Sequence, residues 1–186
     1  MFTTSSNTLS QREKKLIVAL QQAKVRRAEG LFVAEGPKLI GELLATFPCR
    51  LLVTTASFLP LVESLGQIQR VVLLPEGYDF SSLSTLRTPR PMIALLELPT
   101  PPSTSTITAP SLLLDNVQDP GNVGSILRTA DWFGYRTVFT TEGTADPFSP
   151  KVVQATMGAL ARVKVTPVAD IHSLLGQAHK DGVAIL

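Results

Sequence analysis

The residues with the most chemical potential form one block, Asp115-Asn116-Val117-Gln118-Asp119-Pro120-Gly121-Asn122-Val123-Gly124-Ser125-Ile126-Leu127-Arg128-Thr129-Ala130. It follows the apolar run Ser111–Asp115 and opens an amphipathic stretch, so it reads as strand, turn and helix. Pro120-Gly121 fits a tight turn, and the Asn122 side chain can cap the helix that follows. Gly124 lets a neighbour approach closely. In an open α/β sheet, ligands bind in the crevice beyond the carboxyl ends of the strands, which makes Asn116 to Asn122 the place to look for a site. Arg128 lies off the apolar stripe of Val123, Ile126, Leu127 and Ala130. Two readings stand for it: a solvated Arg packing its methylenes along the sheet, or a guanidinium fork aimed at a phosphate. Neither a Gly-x-Gly-x-x-Gly pattern nor a Walker A loop with its Lys occurs.

Other reactive-looking residues read more plainly. His172 and His179 fall on the polar side of a helix and are expected to be solvated. Met157 suits a core or interface filler. Trp132 and Phe133 continue the apolar edge of their helix, which favours core or subunit packing over base stacking. In Lys24-Val25-Arg26-Arg27 the charges cluster just after a first helix, and an RNA contact and a solvated surface remain equally open. Charge is uneven along the chain: residues 1–50 hold 8 Lys+Arg against 4 Asp+Glu, residues 51–110 hold 3 against 4, and residues 111–186 hold 6 against 7. The net +2 therefore arises from a basic N-terminal block, which can steer a polyanion. The single Cys49 allows no internal disulfide. With no Cys or His cluster there is no structural zinc site, and a reducing cytoplasm is expected.

The elements that must position these residues belong to two units. At 186 residues and 44% hydrophobic, the chain can bury a real core, and no apolar run approaches the roughly 20 residues that cross a bilayer. The opening MFTTSSNTLSQREKK has no basic segment followed by an apolar one, so no secretory signal is expected. Residues 99–110, Pro-rich and uncharged, read as a linker between residues 1–98 and residues 111–186. In the first unit Ser10 and Glu13 make a capping box for a helix running to about Ala23, and Pro37 opens a second helix bearing Leu39, Ile40, Leu43 and Leu44. Strands are expected at Leu51–Thr54, Arg70–Leu74 and Met92–Leu96, with helix-length stretches at Phe58–Leu65 and Phe80–Leu86. In the second unit a helix from about Asn122 to Phe133 ends at Gly134, and a strand follows at Thr137–Thr140. A helix at Lys151–Leu160, a strand at Val163–Val165, a helix at Ile171–His179 and a final strand at Val183–Leu186 complete it. Apolar strands interleaved with helices argue for an α/β fold with a parallel sheet covered on both faces. A chain that stops inside an apolar strand is expected to lack a C-terminal portion.

DNVQDPGNVGSILRTADWFG, together with PFSPKVVQATMGALARV, resembles motifs 1 and 2 of the SpoU/TrmH family of RNA methyltransferases, within the SPOUT class. The two motifs stand in the family's order, about 20 residues apart, and residues 1–98 resemble in layout its substrate-binding domain. The resemblance implies a small N-terminal α/β/α domain followed by a parallel-sheet domain of the trefoil-knot type. It implies transfer of methyl from S-adenosylmethionine to a ribose 2′-hydroxyl of rRNA or tRNA by a homodimer, in which Arg128 of one subunit serves the other's site. Asn122 and Arg128 fall on the catalytic positions. Thr140, Thr141, Gly143, Thr156, Met157 and Gly158 fall near the cofactor or the dimer interface, and Lys24, Arg26, Arg27 and Arg128 are the candidates for touching RNA. Ser149 stands where the family often has Asn, and its hydroxyl can still bond the turn.

The family's motif 3, which threads the knot and supplies most of the cofactor pocket, would lie beyond Leu186. The resemblance therefore implies a domain truncated before the knot and a 186-residue chain that binds S-adenosylmethionine poorly, even where the complete protein is an enzyme. The alternative reading is an RNA-binding module without catalysis, or a truncated paralogue. Arg128 is a poor proton acceptor, since a guanidinium keeps its proton at neutral pH. It fits better as a clamp on an RNA phosphate that also stabilises the developing alkoxide.

Overall fold

Side chains alternate along a strand, and here both alternating sets are apolar, so the first sheet must be covered on both faces. The computed structural model describes residues 4–6, 8–62, 64–100, 107 and 110–186. Five strands, β1 (Thr4–Ser6), β2 (Leu31–Glu35), β3 (Cys49–Thr55), β4 (Arg70–Leu74) and β5 (Met92–Glu97), make a mixed sheet in the order β1-β4-β3-β5-β2. One face carries Leu31, Val33, Leu51, Val53, Val72, Ile93 and Leu95 and is closed by Ile17 and Leu20. Ile17 belongs to α1 (Gln11–Ala19), and Leu20 caps that helix. The other face carries Phe32, Ala34, Leu52, Val71, Met92, Ala94 and Leu96. It is covered by Leu39, Ile40 and Leu43 of α3 (Pro37–Leu43).

The second sheet is all parallel, β6 (Leu112–Leu114), β7 (Thr137–Thr141) and β8 (Lys164–Val168), in the order β6-β7-β8. Its crossovers are α4 (Pro120–Trp132) and α5 (Pro150–Ala155), and α6 (Ile171–Lys180) follows β8. The two sheets do not close separate cores. Val123, Leu127, Val138, Val152, Val153 and Val165 belong to the same apolar cluster as Phe32, Leu52 and Met92. Phe148, just before α5, packs its ring 5.1 Å from Phe32 and 6.3 Å from Phe47. Of the stretch expected as a linker, residues 101–106, 108 and 109 lie outside the described residues.

The Ser10 capping box is present, with the Glu13 amide donating to Ser10 Oγ at 3.2 Å and the Ser10 amide to Glu13 Oε2 at 2.8 Å. The helix does not run on to Ala23, however. It stops at Ala19, and a separate α2 (Ala23–Glu29) begins after a turn. The reason lies six residues downstream: Arg26 Nη1 donates to the carbonyls of Leu20 and Gln21 at 2.9 and 2.8 Å, satisfying acceptors that a longer helix would have used. The helix-length stretches around Phe58 and Phe80 shorten to single 3₁₀ turns, Leu59–Leu61 and Phe80–Ser82. The strand Leu31–Glu35 had no alternation to reveal it, because all five residues are buried.

Three expectations in the second unit also change. The cap of α4 is Asp119, whose carboxylate accepts from the Asn122 amide at 2.8 Å, so Asn122 lies inside the first turn and its side chain makes no hydrogen bond among the described residues. The helix expected over 151–160 breaks after Ala155, because Met157 and Gly158 adopt φ of +52° and +95°. Ser149 precedes that helix without a side-chain cap bond. Residues 183–186 form no strand, and Ile185 and Leu186 are exposed. Apolar residues become a strand only beside an edge that accepts their hydrogen bonds.

Burial pushes the Cys49 thiol up to about 12, and the side chain is inaccessible on β3. Only the thiolate is a nucleophile. Iodoacetamide at pH 8 is therefore expected to leave the folded protein unlabelled and to modify Cys49 only in denaturant. Rapid stoichiometric labelling of the native protein would contradict this burial.

Candidate active site

A cavity of about 900 Å³ runs along the edge strand β8, from Arg162 and Lys164 at its amino end to the carboxyl ends of β7 and β8, and is bounded on its far side by Phe47 and Leu98 of the first unit. Its part at the carboxyl ends is the position at which parallel α/β sheets bind ligands. Thr140 and Thr141 from β7 and Gly143 from the loop after it line one wall, and Pro167 and Val168 line another. Two threonine hydroxyls fix that loop. Thr141 Oγ1 donates to Asp115 Oδ1 at 2.7 Å and accepts from the Asn116 amide at 3.0 Å. Thr144 Oγ1 donates to the Leu114 carbonyl at 3.1 Å and accepts from the Val117 amide at 3.3 Å. Gly143 has φ +90°, a conformation that strains L side chains, and a Cβ there would also fall 2.5 Å from Asn116 Oδ1, so glycine is favoured.

The loop is also clamped from the first unit. Asp146 Oδ2 accepts from Arg26 Nε at 3.2 Å and from Arg26 Nη2, while its Oδ1 accepts from the Phe148 amide at 2.9 Å. Arg26 is 2% exposed. Its guanidinium is committed to Asp146 and to two backbone carbonyls, which removes it from the residues available to RNA. Lys24 and Arg27 are exposed, and Arg27 stands at the cavity rim. A second cross-unit link joins Arg162 to Glu42 at 2.6 Å and to Asp131 at 2.8 Å. This pair of carboxylates raises the already high pKa of Arg162.

The remaining candidates disperse. Thr156 is buried and donates to the Val153 carbonyl at 2.8 Å, which ends α5. Gly158 packs on Glu42, where a Cβ would lie 2.7 Å from the Glu42 Cβ. Met157 is half exposed, so the core reading of it fails. None of these three lines the cavity. Asn122 and Arg128 are both exposed on α4. Six residues apart on a helix, they are separated by about 9 Å of rise and about 120° around the axis, so within one chain they do not converge. Trp132 and Phe133, 86% and 71% exposed, are not core residues. His172 and His179 are exposed. Asp146, Phe148 and Arg162 were not singled out from sequence, because their partners lie more than 30 residues away and leave no local pattern.

Comparison with known proteins addresses the whole arrangement. The family profile for the SpoU rRNA Methylase family matches residues 109–186, and the profile for the MRM3-like substrate binding domain matches residues 12–94. A solved structure from Porphyromonas gingivalis, described as an RNA methyltransferase of the TrmH family, superposes with a TM-score of 0.88 and 48% identity, over 94% of this chain and 69% of that one. The chain belongs to the SpoU/TrmH family. An AdoMet-bound rRNA methyltransferase from Sinorhizobium meliloti superposes with a TM-score of 0.74 at 26% identity, over 95% of this chain and 68% of that one. The 23S rRNA (guanosine(2553)-2'-O)-methyltransferase RlmP of Bacillus subtilis is 30% identical over 169 residues, 89% of this chain and 65% of that protein. The mitochondrial rRNA methyltransferase 3A of Danio rerio is 32% identical over 157 residues, 78% of this chain and 35% of that protein. The chain thus spans between a third and two thirds of the length of these curated relatives. No helix among the described residues is long and apolar enough to cross a membrane.

Proposed function

We propose that this SpoU/TrmH family chain serves S-adenosylmethionine-dependent methylation of a ribose 2′-hydroxyl in ribosomal or transfer RNA. The observation that carries the reading is the part of the cavity at the carboxyl ends of β7 and β8, whose wall includes Thr140, Thr141 and Gly143. The cavity's volume lies within the range of cofactor sites, and it is apolar with polar groups at its edge, which suits an adenosine with a charged tail. Thr140, Thr141 and Gly143 would hold S-adenosylmethionine, which supplies an electrophilic methyl on a sulfonium. We assign no cofactor contact to Thr156, Met157 or Gly158. The test is transfer of a labelled methyl to ribosomal RNA by the protein purified from its own cells, mapped as an alkali-resistant dinucleotide. Methyl found on a base, or no transfer, overturns the reading. The cytoplasm is the proposed compartment, on the strength of the lone buried thiol, although mitochondrial proteins are among the relatives.

Arg128 is proposed to clamp a phosphate of the RNA and to stabilise the alkoxide as the ribose hydroxyl loses its proton to water. Because Arg128 and Asn122 diverge on α4, a second copy of the chain is needed to bring an Arg128 to the neighbourhood of Asn122. The aromatic pair Trp132 and Phe133, exposed one turn beyond Arg128, supports a homodimer along this helix. Sedimentation of the purified protein as monomer only would remove the dimer. Arg128→Lys keeps the charge and loses the planar fork, and it is expected to lower kcat/KM about 100-fold, or about 2.7 kcal/mol. A variant with normal rate and affinity would exclude the clamp.

A further inference from the structure

The cavity and the exposed face of α4 leave one strongly charged surface unexplained, at the end of the first sheet remote from the cavity. β2 finishes there at Glu35, which is 4% exposed. Its carboxylate accepts from the Thr85 amide at 2.9 Å, from Thr85 Oγ1 at 3.2 Å and from Ser84 Oγ. These bonds tie residues 84–90 to the strand end. The tie is doubled at the other end of that loop: the Gly36 amide donates to the Met92 carbonyl at 2.9 Å, and the Arg90 Cγ lies 3.5 Å from where a Gly36 Cβ would stand. Two backbone segments are thereby held together, and they carry Lys38, Arg87 and Arg90, all exposed. None of the three has an ion pair or side-chain hydrogen bond among the described residues.

We propose that Lys38, Arg87 and Arg90 form a phosphate-binding surface for RNA, a deepening that rests on RNA being the substrate. Three cations on anchored backbone repel one another unless a carboxylate or a polyanion lies among them. None of the three acids Glu35, Glu76 and Asp79 fills that role, Asp79 accepting from the Ser81 amide at 2.9 Å and from Ser81 Oγ at 2.7 Å. Glu35 is turned inward and saturated. Glu76 follows β4, two strands from β5, and accepts from the Ser57 amide at 2.9 Å and from Ser57 Oγ at 3.0 Å. Arg suits a phosphate through its planar fork, and anchored loops reduce the ordering cost of binding. The surface also stands in a useful relation to the cavity. Lys38 lies near the start of α3, which rises about 8 Å from Lys38 to its end at Leu43, and Thr46 and Phe47 in the turn that follows line the cavity. One RNA stem-loop can reach both.

The test uses the 186-residue chain and a fluorescein-labelled RNA stem-loop, with anisotropy read across a potassium chloride series. The combined variant Lys38→Gln, Arg87→Gln, Arg90→Gln is expected to bind at least about 10-fold more weakly near 100 mM salt, with the slope of log K on log salt shallower by about 2–3. Arg87→Lys with Arg90→Lys keeps the charges and is expected to keep most of the salt slope. Binding of the triple variant within twofold of the parent overturns the surface, as does a loss that follows only Lys24→Gln with Arg27→Gln. Equal loss in the Lys-for-Arg variant, with a lowered Tm, assigns these residues to folding and overturns it too. Tighter binding to phosphatidylserine vesicles than to RNA overturns the choice of partner. A parent chain that shows no salt-dependent RNA binding overturns the RNA reading as a whole, an outcome distinct from the failure of this surface alone.

Discussion

Asp146→Ala is expected to cost about 3–5 kcal/mol of stability, the loss typical when one partner of a buried ion pair is removed. The side chain deleted is itself 29% exposed, but the one left behind is not: the Arg26 guanidinium is 3% exposed, inside the junction of the two units. Its contacts with the Leu20 and Gln21 carbonyls remain, and these neutral dipoles cannot replace a carboxylate. The Phe148 amide loses its acceptor at the same time, next to the ring that packs on the contacting pair Phe32 and Phe47. Arg26→Met together with Asp146→Ala removes the stranded cation and is expected to be more stable than Asp146→Ala alone, by about 1 kcal/mol or more. Urea unfolding of the two variants and the parent tests both statements. Asp146→Ala within about 1 kcal/mol of the parent would show that the cation finds water, and that the clamp holds the loop only loosely.

The same ion pair shows where sequence reading reaches its limit. Strands β3, β4 and β5 and helices α3, α4 and α6 were legible because their apolar patterns are local, and Ser10 and Glu13 announce their capping box within four residues. Strand β2 was missed because burial on both faces erases the alternation that marks a strand. The turn at Leu20–Gln22 was missed for a different reason, since it depends on an arginine that reaches back to the carbonyls and forward, across 120 residues, to Asp146. Reading Arg26 as an RNA contact followed from counting its charge without its partner. Lys38, Arg87 and Arg90 illustrate the converse: the latter two belong to a block of net charge −1, and only the Glu35 anchorage gathers them with Lys38. Of the candidate site, Thr140, Thr141 and Gly143 came from the resemblance and line the cavity, whereas the crevice argument on residues alone pointed to Asn116 to Asn122, which do not. Thr156 to Gly158 were grouped with them by resemblance, and the break in the helix directs them elsewhere.

Gly124→Ala decides between two effects of opposite sign. On helix propensity alone the substitution should stabilise α4 by about 1 kcal/mol. The structure opposes that, because a Cβ at Gly124 would lie 2.3 Å from the Ala155 Cβ, 3.1 Å from its carbonyl carbon and 3.2 Å from its Cα. Two of these atoms are backbone, so no side-chain rotation relieves the overlap, and α4 and α5 must separate. Overpacking of this kind costs about 1–3 kcal/mol and occasionally more. With the methyl placed directly on the opposing methyl, a net loss of about 2 kcal/mol is expected, measurable as a lowered midpoint in urea. Ala155→Gly in the same chain removes the opposing methyl and is expected to recover at least about 1 kcal/mol, a coupling that a propensity effect cannot produce. Activity provides an independent readout, because α4 carries both Asn122 and Arg128. A shift of that helix by about 1 Å is enough to lower kcat/KM about 100-fold, and Ala155→Gly should restore rate and stability together. Stabilisation by Gly124→Ala would mean that the helices do not approach this closely, and that α4 is placed by its cap and its apolar stripe alone.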